Sequence, residues 1–519
     1  MAYMATLLFG LLSIIQNNST TLLIGLVTFL VVCVIIKQRS TKRNGLPPSP
    51  PTYPLIGNLI TVLLSFLYGE RSHEMVTRLS KTYGKIFCLS FGSNVRLVYL
   101  NDLKSVSEAF KNPFLSDRTP SAAERLTGAP GIFGASGDVW HHQRRFALSV
   151  FRSFGVRSES FGDKIAIEVR QLAKKFANFD LRPFDPQEYL MCATSNVICS
   201  VIFGRRFEYD DEEFKHLLAI LDTRLRLIGQ GGLISAIPIL RFLFYQSTQK
   251  NNEILLELLN YFTSIIDSHK LDRAQAEGSI ECNDLIDLYL REIDKNQGED
   301  SPSDFVDERH LAALIESLFL AGTETSASTL RWTLLNMVTK PEVQKRIQDE
   351  IEDVCGADRL PSYADQEKMP YTHAVILEVS RLHSITILGV PHFACQDAII
   401  QGFRVPKGSI VISNLWGILH DPDVWKDPYE FRPERFLDDE GAVNVPMEWI
   451  PFSIGRRVCL GEKLAKMELF IFTTHLLGRF SFPKPDDVKS YDFRGRSGAV
   501  LTPTPFKICA IPKGRPTCE

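Results

Sequence analysis

Cys459 is the residue with the plainest capacity for chemistry. It sits in Pro451-Phe452-Ser453-Ile454-Gly455-Arg456-Arg457-Val458-Cys459-Leu460-Gly461-Glu462, between two glycines and just after a pair of arginines. Glycines let a backbone approach a bound group closely. Arginine near a thiol favours the thiolate, which is the form that ligates metal. From Leu460 the pattern turns helical (LGEKLAKMELFIFTTHLL). The cysteine therefore stands just ahead of a helix N-terminus, whose dipole and free N–H groups again favour a thiolate. Core filler, the ordinary reading of a lone cysteine, leaves this constellation unexplained. A second group is Ala321-Gly322-Thr323-Glu324-Thr325-Ser326, polar in the middle of a long helix that should be apolar. Glycine there costs about 1 kcal/mol against alanine. A Ser/Thr cluster that bends the helix accounts for Thr323 and Ser326, but not for Gly322 and Glu324 beside them. A third is Glu378 and Arg381, three apart on a helix opening near Pro370 and so on one face. On a surface such a pair would contribute only ~0–1 kcal/mol.

Positioning these groups falls mostly to helices. Helical periodicity runs through 164–178, 185–203, 212–228, 251–270, 283–295, 305–338 and 341–355. Residues 85–100 form β-rich runs broken at Gly92-Ser93-Asn94, the pattern of a hairpin. Short strands are expected again at 387–403, at 409–413 and in the tail beyond 480. The predicted class is mainly α with small β-sheets. Turn formers and charge in Asn296-Gln297-Gly298-Glu299-Asp300-Ser301-Pro302-Ser303 mark a surface loop.

The first charged residue is Lys37, and Thr20 to Ile36 (TTLLIGLVTFLVVCVII) would span about 25 Å as a helix. Lys37, Arg39, Lys42 and Arg43 follow it, whereas Gln16-Asn17-Asn18-Ser19 precede it, so the positive-inside rule leaves the downstream body in the cytosol. A cleaved signal peptide would need a basic region before the apolar run and small residues after it, and neither is present. The expected layout is an N-terminal transmembrane anchor with its basic flank (1–44), a proline-rich hinge (45–58) and a catalytic body (59–519). Met4 to Ile15 and Gly231 to Phe244 are further apolar runs that could meet the bilayer or stay buried. A net charge of −3 with dispersed Lys and Arg offers no field for nucleic acid. Ten cysteines without a CxxC pair spell neither a disulfide framework nor a zinc knuckle.

Phe452-x-x-Gly455-x-Arg457-x-Cys459-x-Gly461 resembles the haem-binding signature of the cytochrome P-450 family at every fixed position. The resemblance implies the cytochrome P-450 fold, haem b (iron protoporphyrin IX) as cofactor and Cys459 as its axial thiolate ligand, pushing electron density onto iron. It further implies that Glu324 and Thr325 are the proton-delivery pair for dioxygen. Glu378 and Arg381 become an ExxR pair completed by Arg435 of Phe431-Arg432-Pro433-Glu434-Arg435-Phe436, structural support for the cysteine loop. Trp140 and Arg144 match the family's WxxxR pattern; together with Arg457, His392 and Arg118 they are the implied propionate contacts. Arg145 and Lys463 read as solvated surface charge that could also meet an acidic reductase.

The layout looks most like the animal microsomal, drug-metabolising branch. By that likeness the protein is an endoplasmic reticulum monooxygenase (EC 1.14.14.-) acting on a small lipophilic substrate, a fatty acid, steroid or xenobiotic. Electrons would come from NADPH through a separate flavoprotein reductase, with cytochrome b5 as an optional second donor. The chain has no strand-borne GxGxxG dinucleotide fingerprint that would fuse the reductase to it. Two rivals stay open: a haem-thiolate isomerase or dehydratase acting on lipid peroxides, against which the Glu324-Thr325 pair argues, and a non-catalytic haem protein. A tethered interaction module would carry no haem at all.

Overall fold

Prolines at 47, 48, 50 and 51 strip the hinge of backbone donors, yet its carbonyls are taken up by neighbouring residues. The Cys88 N–H donates to Pro48 O at 2.8 Å. The Asn58 amide donates to Pro50 O and Pro51 O at 2.9 and 3.1 Å, while its Oδ1 accepts from the Ser90 N–H at 2.7 Å. The segment is stitched along a strand edge rather than standing off as a bare spacer.

The computed structural model describes Gly25, Val27, Thr28 and residues 45–53, 56–92, 95–119, 122–155, 159–231, 245–275, 283–298, 303–357 and 359–514. The expected anchor at 20–36 lies outside the described residues apart from those first three, as do Met4 to Ile15 and residues 232–244. Among the described residues no helix is long and apolar enough to cross a membrane. The chain divides into two compact units, Met1–Leu115 with Pro391–Asn414, and Ser116–Val390 with Leu415–Glu519.

The first unit holds α1 (Leu59–Leu67), α2 (Ser72–Tyr83), α3 (Leu103–Lys111), β1 (Ile86–Phe91), β2 (Val95–Leu100), β3 (His392–Phe393), β4 (Ala398–Ile400), β5 (Phe403–Val405) and β6 (Ile410–Ser413). The hairpin read from residues 85–100 forms, with Ile86 opposite Leu100 and Phe91 opposite Val95. The sheet order is β1-β2-β6-β3, β2 and β6 being parallel. Leu89, Val98 and Val411 are fully buried within it. The α1 helix is different: Ile60, Leu63, Leu64, Phe66, Leu67 and the following Tyr68 are exposed.

The second unit is built from α4 (Ala122–Thr127), α5 (Gly137–Ser153), α6 (Glu159–Ala177), α7 (Gln187–Ile202), α8 (Glu212–Gly231), α9 (Tyr245–Gln275), α10 (Leu285–Gln297), α11 (Glu308–Thr339), α12 (Pro341–Cys355), α13 (Pro370–Leu382), α14 (Leu415–Leu419) and α15 (Glu462–Arg479). Two short pairs complete it, β7 (Phe480–Ser481) with β10 (Ile511–Pro512) and β8 (Arg496–Ser497) with β9 (Leu501–Thr502). The central element is α11, capped by Asp307 on the His310 N–H at 2.9 Å. From His310 to Val338 it is buried except at Leu320, Ala321, Gly322 and Thr325. A helix apolar on all sides belongs at the centre of a bundle, and one with polar residues there must bond them to its neighbours.

Those neighbours are identifiable. Thr194 Oγ1 of α7 donates to Thr323 O at 3.0 Å, and Ser195 Oγ donates to Thr323 Oγ1 at 3.1 Å. Gly322 permits this approach, because a Cβ there would stand 3.0 Å from Ile198 Cγ1. Ser326 Oγ donates to Glu468 of α15. Trp332 Nε1 donates to Leu501 O at 3.1 Å and so ties down the tail.

Candidate functional site

The cysteine loop is closed by its own backbone. Cys459 N–H donates to Phe452 O at 3.1 Å, and Val458 N–H donates to Gly455 O at 3.2 Å. Gly455 takes φ +82°, the left-handed region where a side chain would be strained. Gly461 is the N-cap of α15; a Cβ on it would meet no atom within 4 Å, which leaves the space beside the helix end open. The Phe452 ring packs against Trp449 at 5.9 Å, with Lys466 Nζ 5.7 Å over it.

Among the described residues Cys459 is the one exposed cysteine. Its thiol is nonetheless pushed up to about 11, first by burial among surrounding protein atoms. The Gly461 and Glu462 N–H groups and Arg144 act in the opposite direction, the helix-end and arginine effects expected from the sequence. They act in the direction expected, and burial outweighs them.

Trp140 lies on α5 between two guanidinium groups, with Arg457 Cζ 4.0 Å from its ring centre and Arg144 Cζ 5.9 Å from it. Arg144 Nη2 donates to Val458 O at 2.9 Å, clamping the residue before the cysteine. Arg457 donates to Ser116 O, Ile132 O and Ala135 O at 2.8, 3.3 and 2.6 Å. Burial first, and then the charge of Arg118, lower its guanidinium to about 8. Arg118 is itself lowered to about 9 by burial, and its N–H donates to Ser136 Oγ at 3.0 Å. Arginines brought close enough to repel one another in a buried place suit a ligand with two negative groups. In the first unit, His392 is buried on β3, its Nδ1 2.7 Å from Leu115 O and its ring stacked 3.7 Å from Phe110.

Over the α11 strip, Thr325 Oγ1 donates to Ala321 O at 2.6 Å. Glu324 is buried; its Oε1 accepts from Ser328 Oγ at 2.7 Å, whereas Oε2 has no partner. Burial raises this carboxyl to about 7. The strip and the cysteine are thus carried by α11 and α15, two helices fastened together by Ser326 and Glu468.

Beneath the loop, Glu378 and Arg381 of α13 are both fully buried. Arg381 donates to Glu378 through Nε at 2.7 Å and Nη2 at 2.9 Å, and Arg435 Nε reaches Glu378 Oε1 at 3.1 Å. The Arg432 N–H adds a fourth bond at 2.9 Å. Arg381 also donates to Leu419 O and Pro428 O at 2.8 Å each. Trp449 Nε1 donates to Leu377 O at 3.0 Å, linking α13 to the start of the cysteine loop.

Sequence reasoning missed Ser328, Ser195 and Glu468. Glu468 carried a signal: it is the lone acid in the apolar run from Met467 to Phe472, nine residues after Cys459.

A mainly helical body with an accessible thiol at the end of a buried helix, ringed by arginines, has the makings of a haem-thiolate protein. The family model described as Cytochrome P450 matches residues 47–510, and the chain belongs to that family of haem-dependent monooxygenases. It is 35% identical to human Cytochrome P450 2U1 over 96% of this chain and 94% of that one. It is 38% identical to rabbit (Oryctolagus cuniculus) Cytochrome P450 2J1 over 95% and 96%. With chimpanzee (Pan troglodytes) Cytochrome P450 2D6 the identity is 36% over 93% and 97%.

Proposed function

We propose that this protein is a membrane-anchored monooxygenase of the endoplasmic reticulum that inserts one atom of O2 into a small lipophilic substrate. Electrons come from NADPH through a separate flavoprotein reductase. The observation that carries the reading is an exposed cysteine in a closed loop at the N-terminus of α15, the one exposed cysteine among the described residues. Haem held there through Cys459 supplies the oxygen chemistry, with the thiolate donating electron density.

The chain's own residues do the rest. Arg144, Trp140, Arg457 and Arg118 would hold the propionates, and the Gly461 and Glu462 N–H groups would steady the sulfur. Glu324 titrates near neutrality and can therefore take up and release a proton at working pH. Thr325, one residue on, carries the hydroxyl that passes it inward. Glu378, Arg381 and Arg435 hold the loop in shape and touch no reacting atom. The exposed apolar face of α1 supports a lipid partner for the body, in addition to the anchor at 20–36.

The test is the absorption difference spectrum of the reduced protein with and without carbon monoxide, for wild type and Cys459→Ser. Thiolate-ligated ferrous haem gives a red-shifted Soret band in the wild type and not in the variant. A folded, haem-replete wild type lacking that band would overturn the assignment.

A further inference from the structure

One cluster of ligating side chains in the second unit plays no part in the chemistry at Cys459. His269 of α9, with Asp284 and Asp287 at the start of α10, brings a ring nitrogen and two carboxylate oxygens within 4.8 Å of one another. Both aspartates are buried, and the His269 side chain keeps 19% of its surface exposed.

The histidine shows what the cluster is built to hold. Its Nδ1 stands 2.9 Å from the Ile265 carbonyl, one turn back on α9, and its Nε2 stands 2.9 Å from Asp284 Oδ2. A carbonyl and a carboxylate can only accept, whereas a neutral imidazole has a single N–H. The Ile265 carbonyl, which lies outside the cluster, takes that N–H. The Nε2 lone pair is then aimed at a carboxylate oxygen, and the contact needs a positive charge between the two atoms, a proton or a metal ion. Metal-ligating histidines ordinarily donate their other N–H to a backbone carbonyl or carboxylate in this way, which fixes the tautomer and raises the basicity of the ligand.

The surroundings favour the metal ion. Burial first, and then the charge of Asp284, push the Asp287 carboxyl up, so the two carboxylates repel one another. A proton on Nε2 offsets only one of them. Arg273, one turn along α9, acts on Asp287 but is itself paired with Asp294 at 2.8 Å. Gly204 lies beside Asp284 Oδ2, where a Cβ would come within 3.1 Å, so glycine keeps that flank free of a side chain. Donors around a tetrahedral zinc stand roughly 3.3 Å apart, given bonds of about 2.0–2.1 Å. Nε2 and Asp284 Oδ2 need to part by only a few tenths of an ångström. Asp287 has to close by at most about 1.5 Å, which a side-chain rotation supplies. Asp284 Oδ1 stays on the Asp287 N–H at 2.9 Å, so the cap of α10 is kept.

We propose that His269, Asp284 and Asp287 form a zinc(II) site that clasps the C-terminal part of α9 to the start of α10, with water completing the coordination. One imidazole among two carboxylates suits zinc better than calcium or magnesium, which take oxygen ligands. Three protein ligands and an accessible fourth position make the site exchangeable, loaded and emptied with the zinc supply. Zinc replaces a proton on Nε2. Asp284 and Asp287 are the charged groups that act on the ring, and the Asp284 hydrogen bond raises its proton affinity above the usual histidine value. Zinc affinity therefore rises with pH as that proton is given up.

The experiment is titration of the purified, haem-loaded full chain, first stripped with a chelator, with zinc chloride at pH 6 and pH 8, read by calorimetry and by the melting midpoint. Wild type should bind one zinc per chain, at least about tenfold more tightly at pH 8 than at pH 6, and its midpoint should rise as zinc is added at pH 8. His269→Gln and Asp287→Asn should each lose at least about tenfold in affinity, together with the rise in midpoint. Asp284→Asn should do the same, and because asparagine still caps a helix it decides the matter if another variant does not fold. His216→Gln, at the exposed pair with Glu257 on α8 and α9, should change nothing. X-ray absorption at the zinc edge should report nitrogen and oxygen neighbours alone. Equal binding by wild type and the three cluster variants would overturn the proposal as adventitious surface binding, as would sulfur among the neighbours. Absence of binding at pH 8 would overturn it too, leaving a proton only between Nε2 and Asp284. Cys459 has no part in the site, so this titration and the carbon monoxide band succeed or fail separately.

Discussion

Replacing Glu324 by glutamine should stabilise the protein and cripple it at once. Burial raises this carboxyl from its usual 4.5 to about 7. A group whose folded pKa lies above its unfolded one favours the native state at low pH, and that advantage drains away as pH rises between the two values. Glu324 therefore costs the native state about 3 kcal/mol at pH 8, at 1.36 kcal/mol per pKa unit, and only about 1 kcal/mol at pH 5, where it stays protonated in the fold. Glutamine carries no such penalty. It keeps an oxygen for Ser328 and places an amide where Oε2 now has no partner, an unsatisfied group worth about 1 kcal/mol. The balance is a gain of about 2 kcal/mol at pH 8 and about nothing at pH 5. For a chain of this length that is a rise in melting midpoint of about 2 °C, measured on the haem-loaded protein at both pH values. Product formation per NADPH consumed should fall on the order of a hundredfold, the usual worth of a positioned proton donor. A midpoint shift of the same size at pH 5 and pH 8 would refute the reasoning, because it would mean that the carboxyl holds its proton no more tightly folded than unfolded.

Other outcomes follow from the same geometry. Glu378→Gln or Glu378→Ala leaves Arg381 and Arg435 buried without their shared carboxylate, so the chain should lose about 3–5 kcal/mol and most of its haem-loaded yield; a urea midpoint within error of wild type would contradict this. Arg457→Ala and Arg144→Ala should each speed transfer of haem to a scavenging apoprotein by tenfold or more, the scale set by groups that support a metal ligand. Unchanged transfer rates would remove both arginines from the cofactor site. Thr325→Val should keep the midpoint within about 1 kcal/mol of wild type while NADPH oxidation continues with little product, and Thr325→Ser should restore the product. Equal coupling in the two variants would show that the hydroxyl carries no proton.

Much of this was legible before any coordinates. The cysteine loop was readable because its glycines, arginines and following helix are contiguous in the chain. The polar break in α11 was readable against the apolar pattern around it. Helix positions from Glu159 to Cys355 follow their periodicity closely, since a long amphipathic or buried helix repeats its signal many times. What escaped was of two kinds. Short elements such as α1 to α4 offer only two or three turns of signal. Partners far apart in sequence, such as Ser326 with Glu468 or Arg224 with Glu316, leave no local trace beyond a charge in an apolar run. The influences on the Cys459 thiol divide the same way: helix end and arginine act locally and can be read, whereas burial is a property of the whole fold.

The organisation of α11 explains why so few of its residues are left for chemistry. Successive positions on a helix point 100° apart, so four neighbours can be served only by dividing the circumference among them. Gly322 and Thr323 are given to α7, Ser326 to α15, Glu316 to α8, and Arg331 and Trp332 to the tail. The row that remains accessible is Ala321 and Thr325, four apart on one face, with Leu320 and Gly322 at its edges. Alanine there keeps the wall low. The threonine hydroxyl is satisfied by the Ala321 carbonyl one turn back, so it can stand on an otherwise apolar stretch without an orphaned polar group. Such a bond is worth about 1 kcal/mol net, little enough that the hydroxyl can leave the carbonyl for a stronger partner when one arrives. Glu324 is held one position round, behind the wall, where burial sets its proton affinity near neutrality. Buried carboxyl and accessible hydroxyl are thus adjacent in sequence and on different faces, an arrangement that a helix provides and a strand, with its two alternating faces and no local hydrogen bond to hold the hydroxyl, does not.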